Sequence, residues 1–227
     1  NGICPSLSDV DPYWMAVAAI DEALRNVICV GGDPNRTAIL DNFCWGNCED
    51  PQTMGALVRA CQACYDAAVA FGTPFISGKD SMFNDFSGFD ADNNPVKVSV
   101  PPTLLISSIG VHPDAAKAVS LDAKIAGDLV YIVGPTREEL GGSEYFAHLG
   151  SPGNTVPLLD APAAKERYAR LASAIAHELV ASAFPVSHGG LGVALAKVAV
   201  AGRIGMDLTL PVPDSMRPDY FLFSESL

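Results

Sequence analysis

Basic residues are scarce in this chain: 14 Lys and Arg stand against 26 Asp and Glu, a formal net charge of -12 and a pI near 4.5. That balance argues against a nucleic-acid partner, because holding a phosphate backbone requires clustered Lys and Arg. Long apolar runs are missing too. No stretch approaches the roughly 18 uninterrupted apolar residues of a membrane helix. The N-terminus has neither the basic region nor the apolar core of a signal peptide. No membrane association is expected, and the expected location is cytoplasmic. A literal P-loop is also absent. In "GTPFISGKDSMF" five residues separate Gly72 from Gly78, and Asp80 follows Lys79, which does not meet the pattern G-x-x-x-x-G-K-S/T. Finally, the chain opens on Asn1 without a methionine and stops at Leu227 straight after "FLFSES". It reads as a piece of a longer polypeptide.

What remains is the composition of a globular protein, 49% hydrophobic and 18% charged over 227 residues. That length accommodates two small domains or one large one, and two is the preferred reading. The boundary falls between Val111 and Leu121, giving units 1–113 and 114–227. Strands alternating with helices in both imply an α/β or α+β fold. An acidic chain can still bind a nucleotide if magnesium supplies the positive charge.

Six cysteines are present, and Cys44, Cys48, Cys61 and Cys64 imitate the spacing of a four-thiolate zinc site. The competing reading is stronger. Met54, Leu57, Val58, Cys61, Cys64 or Tyr65, and Ala68 recur at helical spacing as one apolar stripe, with both thiols as small buried hydrophobes. They are expected to be reduced.

Local signals order the rest. Asp11-Pro12 starts a helix that stops at Gly31-Gly32, with Trp14, Val17, Ala18, Leu24, Val27 and Ile28 toward a core and Asp21, Glu22, Arg25 and Asn26 near or on the other side. "TAILDNFCWGN" reads as a strand. The cysteine-bearing helix runs from Asp50-Pro51 to Gly72, and "TPFIS" is a short buried strand leading into a turn, "SGKDS". Residues 84–97 read as an exposed loop. "VSVPPTLLISSIGVHPD" resumes strand character after its prolines. In the second unit, strands are expected at 129–133 and 206–210, helices at about 163–183 and 190–202, and a turn at "LGGSEYF".

Several residues could carry chemistry. Glu22 and Asn26 lie four apart on one helix face and could share a magnesium ion or its waters, against a simple solvated face. Asp41, flanked by apolar neighbours at a strand end, is costly to bury unless paired, hydrogen-bonded or metal-bound, against the equal alternative of an ordinary acid in a turn. In "SGKDS", Gly78 can let backbone approach a ligand, Lys79 can neutralise phosphate, Asp80 can hold magnesium and Ser81 can bond a substrate oxygen. A glycine-led turn with a Lys79–Asp80 ion pair is the bland alternative. "SHGGLG" places glycines at a helix start, which suits an anion or a plain cap. His188 is more readily a capping or core histidine than a ligand or base.

Taken together and in order, "DPYWMAVAAIDEALRN", "GGDPNRTAILDNFCWGN", "PFISGKDSMFND", "PPTLLISSIGVHPD", "ELGGSEYF", "GGLGVALAKVAVAG" and "LFSESL" resemble the second half of the synthetase subunit of the formylglycinamidine ribonucleotide synthases. The resemblance spans nearly the whole chain. It implies a barrel-forming N-terminal-type domain followed by a partial α/β C-terminal-type domain of the aminoimidazole ribonucleotide synthetase superfamily. It implies an ATP-dependent carbon–nitrogen ligase of purine biosynthesis, in which ATP activates an amide oxygen that ammonia from glutamine then displaces. Asp41 and Gly78 then match ATP contacts and Ser81 a contact to formylglycinamide ribonucleotide. Lys79 departs from a magnesium-binding asparagine and is suited to phosphate instead. Glu22 and Asn26 match magnesium ligands of an auxiliary nucleotide site, whose remaining acid should stand where this chain has His188. That site is therefore incomplete here.

Implied partners are the missing first repeat, which carries the family's catalytic histidine, and a glutaminase subunit or domain. An isolated second repeat is expected to be inactive and to pair with a second copy through its open sheet. Two other readings compete. One is another ATP-dependent enzyme of the superfamily, such as a thiamine monophosphate kinase or selenophosphate synthetase relative. The other is a non-catalytic scaffold that completes the barrel and docks partners.

Overall fold

Three helices start on the same device, an aspartate whose carboxylate accepts the unpaired N–H groups of the first turn, with proline inside that turn. Asp11 accepts from Tyr13 N at 2.8 Å and opens α1, Pro12–Ile28. Asp50 accepts from Thr53 N at 2.8 Å and opens α2, Pro51–Phe71, which Gly72 closes in the left-handed conformation. Asp160 does the same for a later helix, Ala161–Ala176. The computed structural model describes all residues 1–227.

Around α1 and α2 the first half builds a mixed sheet from β1 (Gly2–Ile3), β2 (Thr37–Cys44), β3 (Phe75–Ser81) and, beyond a hairpin of β4 (Asp85–Phe89) and β5 (Pro95–Ser99), β6 (Thr103–Gly110). The strand order is β1-β6-β2-β3. β6 runs antiparallel to both neighbours. β2 and β3 are parallel, and α2 is the crossover that a parallel pair requires. Ile39, Phe43, Leu104 and Ile106 bury against the helices. Leu40, Leu105 and Ser107, which alternate with them, are only half-buried, and Ile109 is exposed. The sheet therefore has one covered and one open face, as strand alternation allows.

Several expectations need correction. Residues 84–97 are largely the β4–β5 hairpin rather than a loop, because the turn formers concentrate in the connection, where the Asp90 carboxylate accepts from Asp92 N and Asn94 N. "SGKDS" is part of β3, not a turn, and β3 is exposed from Ile76 to Asp80 because it is an edge strand, with only its ends, Phe75 and Ser81, half-buried. On α2 the buried side is Ala60, Ala63, Cys64, Ala67 and Phe71, whereas Met54, Val58, Cys61 and Tyr65 are exposed. Small residues let α2 lie close to α1, so the alanine stripe packs and the bulkier one faces out.

The second half contains α3 (Glu144–His148), where a turn was expected, α4 (Ala161–Ala176), α5 (Gly190–Gly202) and α6 (Pro218–Phe223). α4 ends well before the expected 183. Residues 129–133 and 206–210 form no ladder. Leu129 and Tyr131 are each 77% exposed. A strand needs a hydrogen-bonded neighbour to satisfy its N–H and C=O groups, and neither segment is paired with one.

α1 joins the halves. It is buried almost all round, including Asp21 at 0% and Glu22 at 8% exposure, which overturns their expected place on a polar side. Arg25 Nε donates to Asp21 Oδ2 at 2.6 Å, and its Nη1 donates to the Val186 carbonyl. The Tyr168 hydroxyl of α4 donates to Asp21 Oδ1, while its ring stacks on Phe71 at 6.0 Å. Burial and the Asp21 carboxylate both push the Tyr168 phenol up. Burial is the largest influence and opposes the Arg25 charge, but Asp21, Tyr168 and Glu22 together outweigh it and keep the guanidinium ionised.

Tyr168→Phe should cost about 1–3 kcal/mol, the price of a lost partner for a buried charge. Asp21→Ala should cost more, about 3–5 kcal/mol, because it strands Arg25. Urea unfolding of the two variants checks both values and their order.

Candidate functional site

The strand register brings the expected nucleotide residues together. Asp41 sits in the middle of β2, not at its end, and pairs with Gly78 of β3. Its carboxylate lies over that glycine: a Cβ at position 78 would stand 2.1 Å from Asp41 Oδ1. The Lys79 N–H donates to the same oxygen at 3.2 Å. Phe43 pairs with Asp80, so the pleat places Asp41, Gly78 and Asp80 on one face at the exposed rim of the sheet. Partial burial raises the Asp41 carboxyl, the Lys79 N–H lowers it, and the Asp80 charge adds to the rise; the net shift is upward.

Lys79 and Ser81 alternate with these residues and share the opposite, uncovered face with Asn42 and Cys44. The Lys79 ammonium donates to the Ser81 hydroxyl. Lys79 thus makes no ion pair with Asp80, and the "SGKDS" side chains divide between the two sides of one strand.

Glu22 and Asn26 lie elsewhere, beside β1 at the far edge of the sheet, so they and Asp80 do not form one site. The Asn26 amide donates to the Asn1 and Glu22 backbone carbonyls at 2.9 and 3.0 Å. Glu22 instead meets Cys4 and His188. Cys4 was missed because an isolated cysteine carries no spacing signal.

The "SHGGLG" helix start already has its anion. Glu225 Oε1 accepts from Gly189 N at 2.8 Å and from Glu144 N at 3.0 Å, serving the starts of α5 and α3. Burial raises the Glu225 carboxyl above its usual range despite these two donors. The four-thiolate zinc arrangement is not formed: Cys64 is buried, its thiol pushed up to about 12 by burial, while Cys61 is exposed.

This layered arrangement belongs to a recognised class. The AIR synthase related protein N-terminal domain matches residues 3–100 and the corresponding C-terminal domain matches residues 126–227; the chain belongs to that family. Among individual proteins, it is 35% identical over 98% of its length to the phosphoribosylformylglycinamidine synthase subunit PurL of Deinococcus radiodurans. The chain spans about 30% of the length of that relative. Its fold is similar to T. maritima PurL complexed with FGAR, with a TM-score of 0.66 at 18% identity over 99% of this chain and 35% of that one. It is likewise similar to T. maritima PurL complexed with ATP, with a TM-score of 0.63 at 20% identity over 99% of this chain and 34% of that one. No helix is long and apolar enough to cross a membrane.

The contact between Asp41 and Gly78 generates a double-mutant test. Gly78→Ala should destabilise the chain by about 1–3 kcal/mol through overpacking against the carboxylate. In an Asp41→Ala background the same change should cost much less, because the obstructing group is gone. Equal costs in both backgrounds would show that the contact does not matter.

Proposed function

We propose that this chain is the second repeat of a phosphoribosylformylglycinamidine synthase synthetase subunit and contributes ATP and formylglycinamide ribonucleotide contacts to an ATP-dependent ligase of purine biosynthesis. The observation that carries the reading is the collinear match of nearly the whole chain to part of that subunit. The geometry at the β2–β3 rim supports it. Two carboxylates, Asp41 and Asp80, share a face, and their mutual repulsion is what a divalent cation relieves. Gly78 keeps the space above the strand open for the Asp41 carboxylate. The residues therefore fit a magnesium–nucleotide.

In this reading Asp41 and Asp80 would hold the magnesium of Mg-ATP, which would supply positive charge against the phosphates. Asp41 is held in place by the Lys79 N–H. Ser81 offers its hydroxyl to the ribonucleotide from the uncovered face, with Lys79 beside it as the cation for phosphate. Because β3 is an edge strand, one exposed rim reaches both faces. Such a site works by positioning and charge compensation, which is what phosphoryl transfer requires. Glu22 and Asn26 stand apart from this rim. The open sheet face is the surface that the first repeat would cover to close a barrel, and a glutaminase would deliver the ammonia.

Asp41→Ala in the parent polypeptide should weaken Mg-ATP binding about 10- to 100-fold, the loss of one charge-assisted contact, as read by calorimetry. Unchanged binding together with lost subunit association would favour the scaffold reading instead. The 227 residues alone should show no turnover with ATP, ammonia and formylglycinamide ribonucleotide, and should sediment as a pair. Turnover, or a monomeric mass at high concentration, would count against this reading.

A further inference from the structure

The corner where β1, α1 and the start of α5 meet gathers three side chains of a different character from the β2–β3 rim. Gly2 presses β1 onto α1: a Cβ there would lie 1.9 Å from the Ala19 carbonyl oxygen. That approach brings Ile3 N within 3.0 Å of Glu22 Oε2 and Cys4 Sγ within 3.7 Å of the same oxygen. From the second half, His188 enters with Nε2 3.8 Å from Glu22 Oε1 and 3.1 Å from the Ile3 carbonyl oxygen. The ligand atoms of Cys4, Glu22 and His188 all lie within 4.8 Å of one another.

Glu22 is 8% exposed, and a carboxylate so placed needs compensation. Its polar neighbours are one backbone N–H, a thiol and an imidazole, and the thiol, the imidazole and the carboxylate itself form a sulfur, nitrogen and oxygen donor set. Magnesium takes oxygen ligands, whereas this mixture is characteristic of zinc and its neighbours in the first transition row. We propose that Cys4, Glu22 and His188 bind one divalent cation of the zinc class, with solvent completing the coordination.

The geometry is close to what such an ion requires. Ligand atoms at zinc bonding distances in a tetrahedron stand about 3.3–3.8 Å apart. Cys4 Sγ stands 3.7 Å from Glu22 Oε2 and His188 Nε2 3.8 Å from Glu22 Oε1, so each partner is near that spacing from one carboxylate oxygen, and a small rotation of the carboxylate would present a single oxygen to both. The widest span, at most 4.8 Å, needs closure by about 1 Å. His188, whose side chain is 37% exposed, has room to make that adjustment and opens the corner to solvent. In the metal-free arrangement Nε2–H donates to the Ile3 carbonyl; taking up the ion exchanges that bond for a metal bond, with the proton moved to Nδ1 and Nε2 as the ligand atom. Glu225, bonded to Gly189 N at 2.8 Å, steadies the residue after His188. The resemblance noted above implied magnesium at Glu22 and Asn26; here the Asn26 amide is committed to backbone carbonyls, and the thiol and imidazole change the class of ion. The ligands come from both halves, so the ion would tie them together. None of this depends on the activity proposed above.

The full chain, stripped with a chelator and titrated with Zn2+ against a chromogenic competitor, should take up one ion per chain and release about one proton as the thiol ionises. Co2+ in its place should give tetrahedral d–d bands and a thiolate-to-cobalt charge-transfer band. Cys4→Ser should abolish that band and weaken Zn2+ at least about 10-fold. Cys61→Ser, altering the exposed thiol, should change neither. Zn2+ should also raise the melting temperature of the wild-type chain but not of Cys4→Ser, with the metal-free melts showing that the variant is folded. No stoichiometric uptake, uptake unaffected by Cys4→Ser, or equal displacement by millimolar Mg2+ would overturn the proposal.

Discussion

Burying the Asp21 carboxylate completely inside the protein is the constraint on which the rest of the architecture hangs. In a low-dielectric interior that charge is tolerable only if every lone pair facing the protein is answered. The answers come from two directions: Arg25 one turn along the same helix, and Tyr168 from α4 in the second half. Arg25 in turn reaches the Val186 carbonyl. One buried charge thus fixes α1, α4 and the segment leading to α5 relative to one another. Two residues beyond Val186 stands His188, and beside Asp21 in the chain stands Glu22; the clamp at one residue sets the contact at its neighbour.

The sheet carries the other consequence of α1. With α1 and α2 covering one face only, β3 remains an exposed edge whose two sides differ. Asp41, Gly78 and Asp80 gather on one, Lys79 and Ser81 on the other. Gly78 is the residue that makes this compatible with the β2–β3 pairing at that point, since any side chain there would compete with the Asp41 carboxylate for the same space. An edge strand is normally a hazard to be blunted. Here the rim holds the acids and the lysine that the nucleotide reading requires.

Much of the local structure was legible because its causes are local. Asp-Pro caps, a left-handed glycine stop and β-rich runs announced α1, α2, β2 and β6 without reference to anything distant. The α2 stripe was misjudged for a reason periodicity cannot resolve. The helix has two candidate faces, and the one that packs is chosen by how closely α1 can approach, which favours Ala60, Ala63 and Ala67 over the larger Val58 and Tyr65. The apolar runs at 129–133 and 206–210 show the converse: strand-like composition forms no strand without a neighbouring strand to pair with.

The same division holds at the candidate site residues. By itself the sequence determined that helices start where they do and that the chain carries the ordered motifs of its family, because residue type, spacing and order carry that information. Only the tertiary structure decided that Asp41 lies over Gly78, that Lys79 faces away from it, and that Glu22 meets Cys4 and His188 rather than sharing an ion with Asn26. Those contacts join residues far apart in the sequence, Glu22 and His188 lying in different halves of the chain. They depend on strand register, on the pleat and on the docking of two halves around one buried charge, none of which a local pattern specifies.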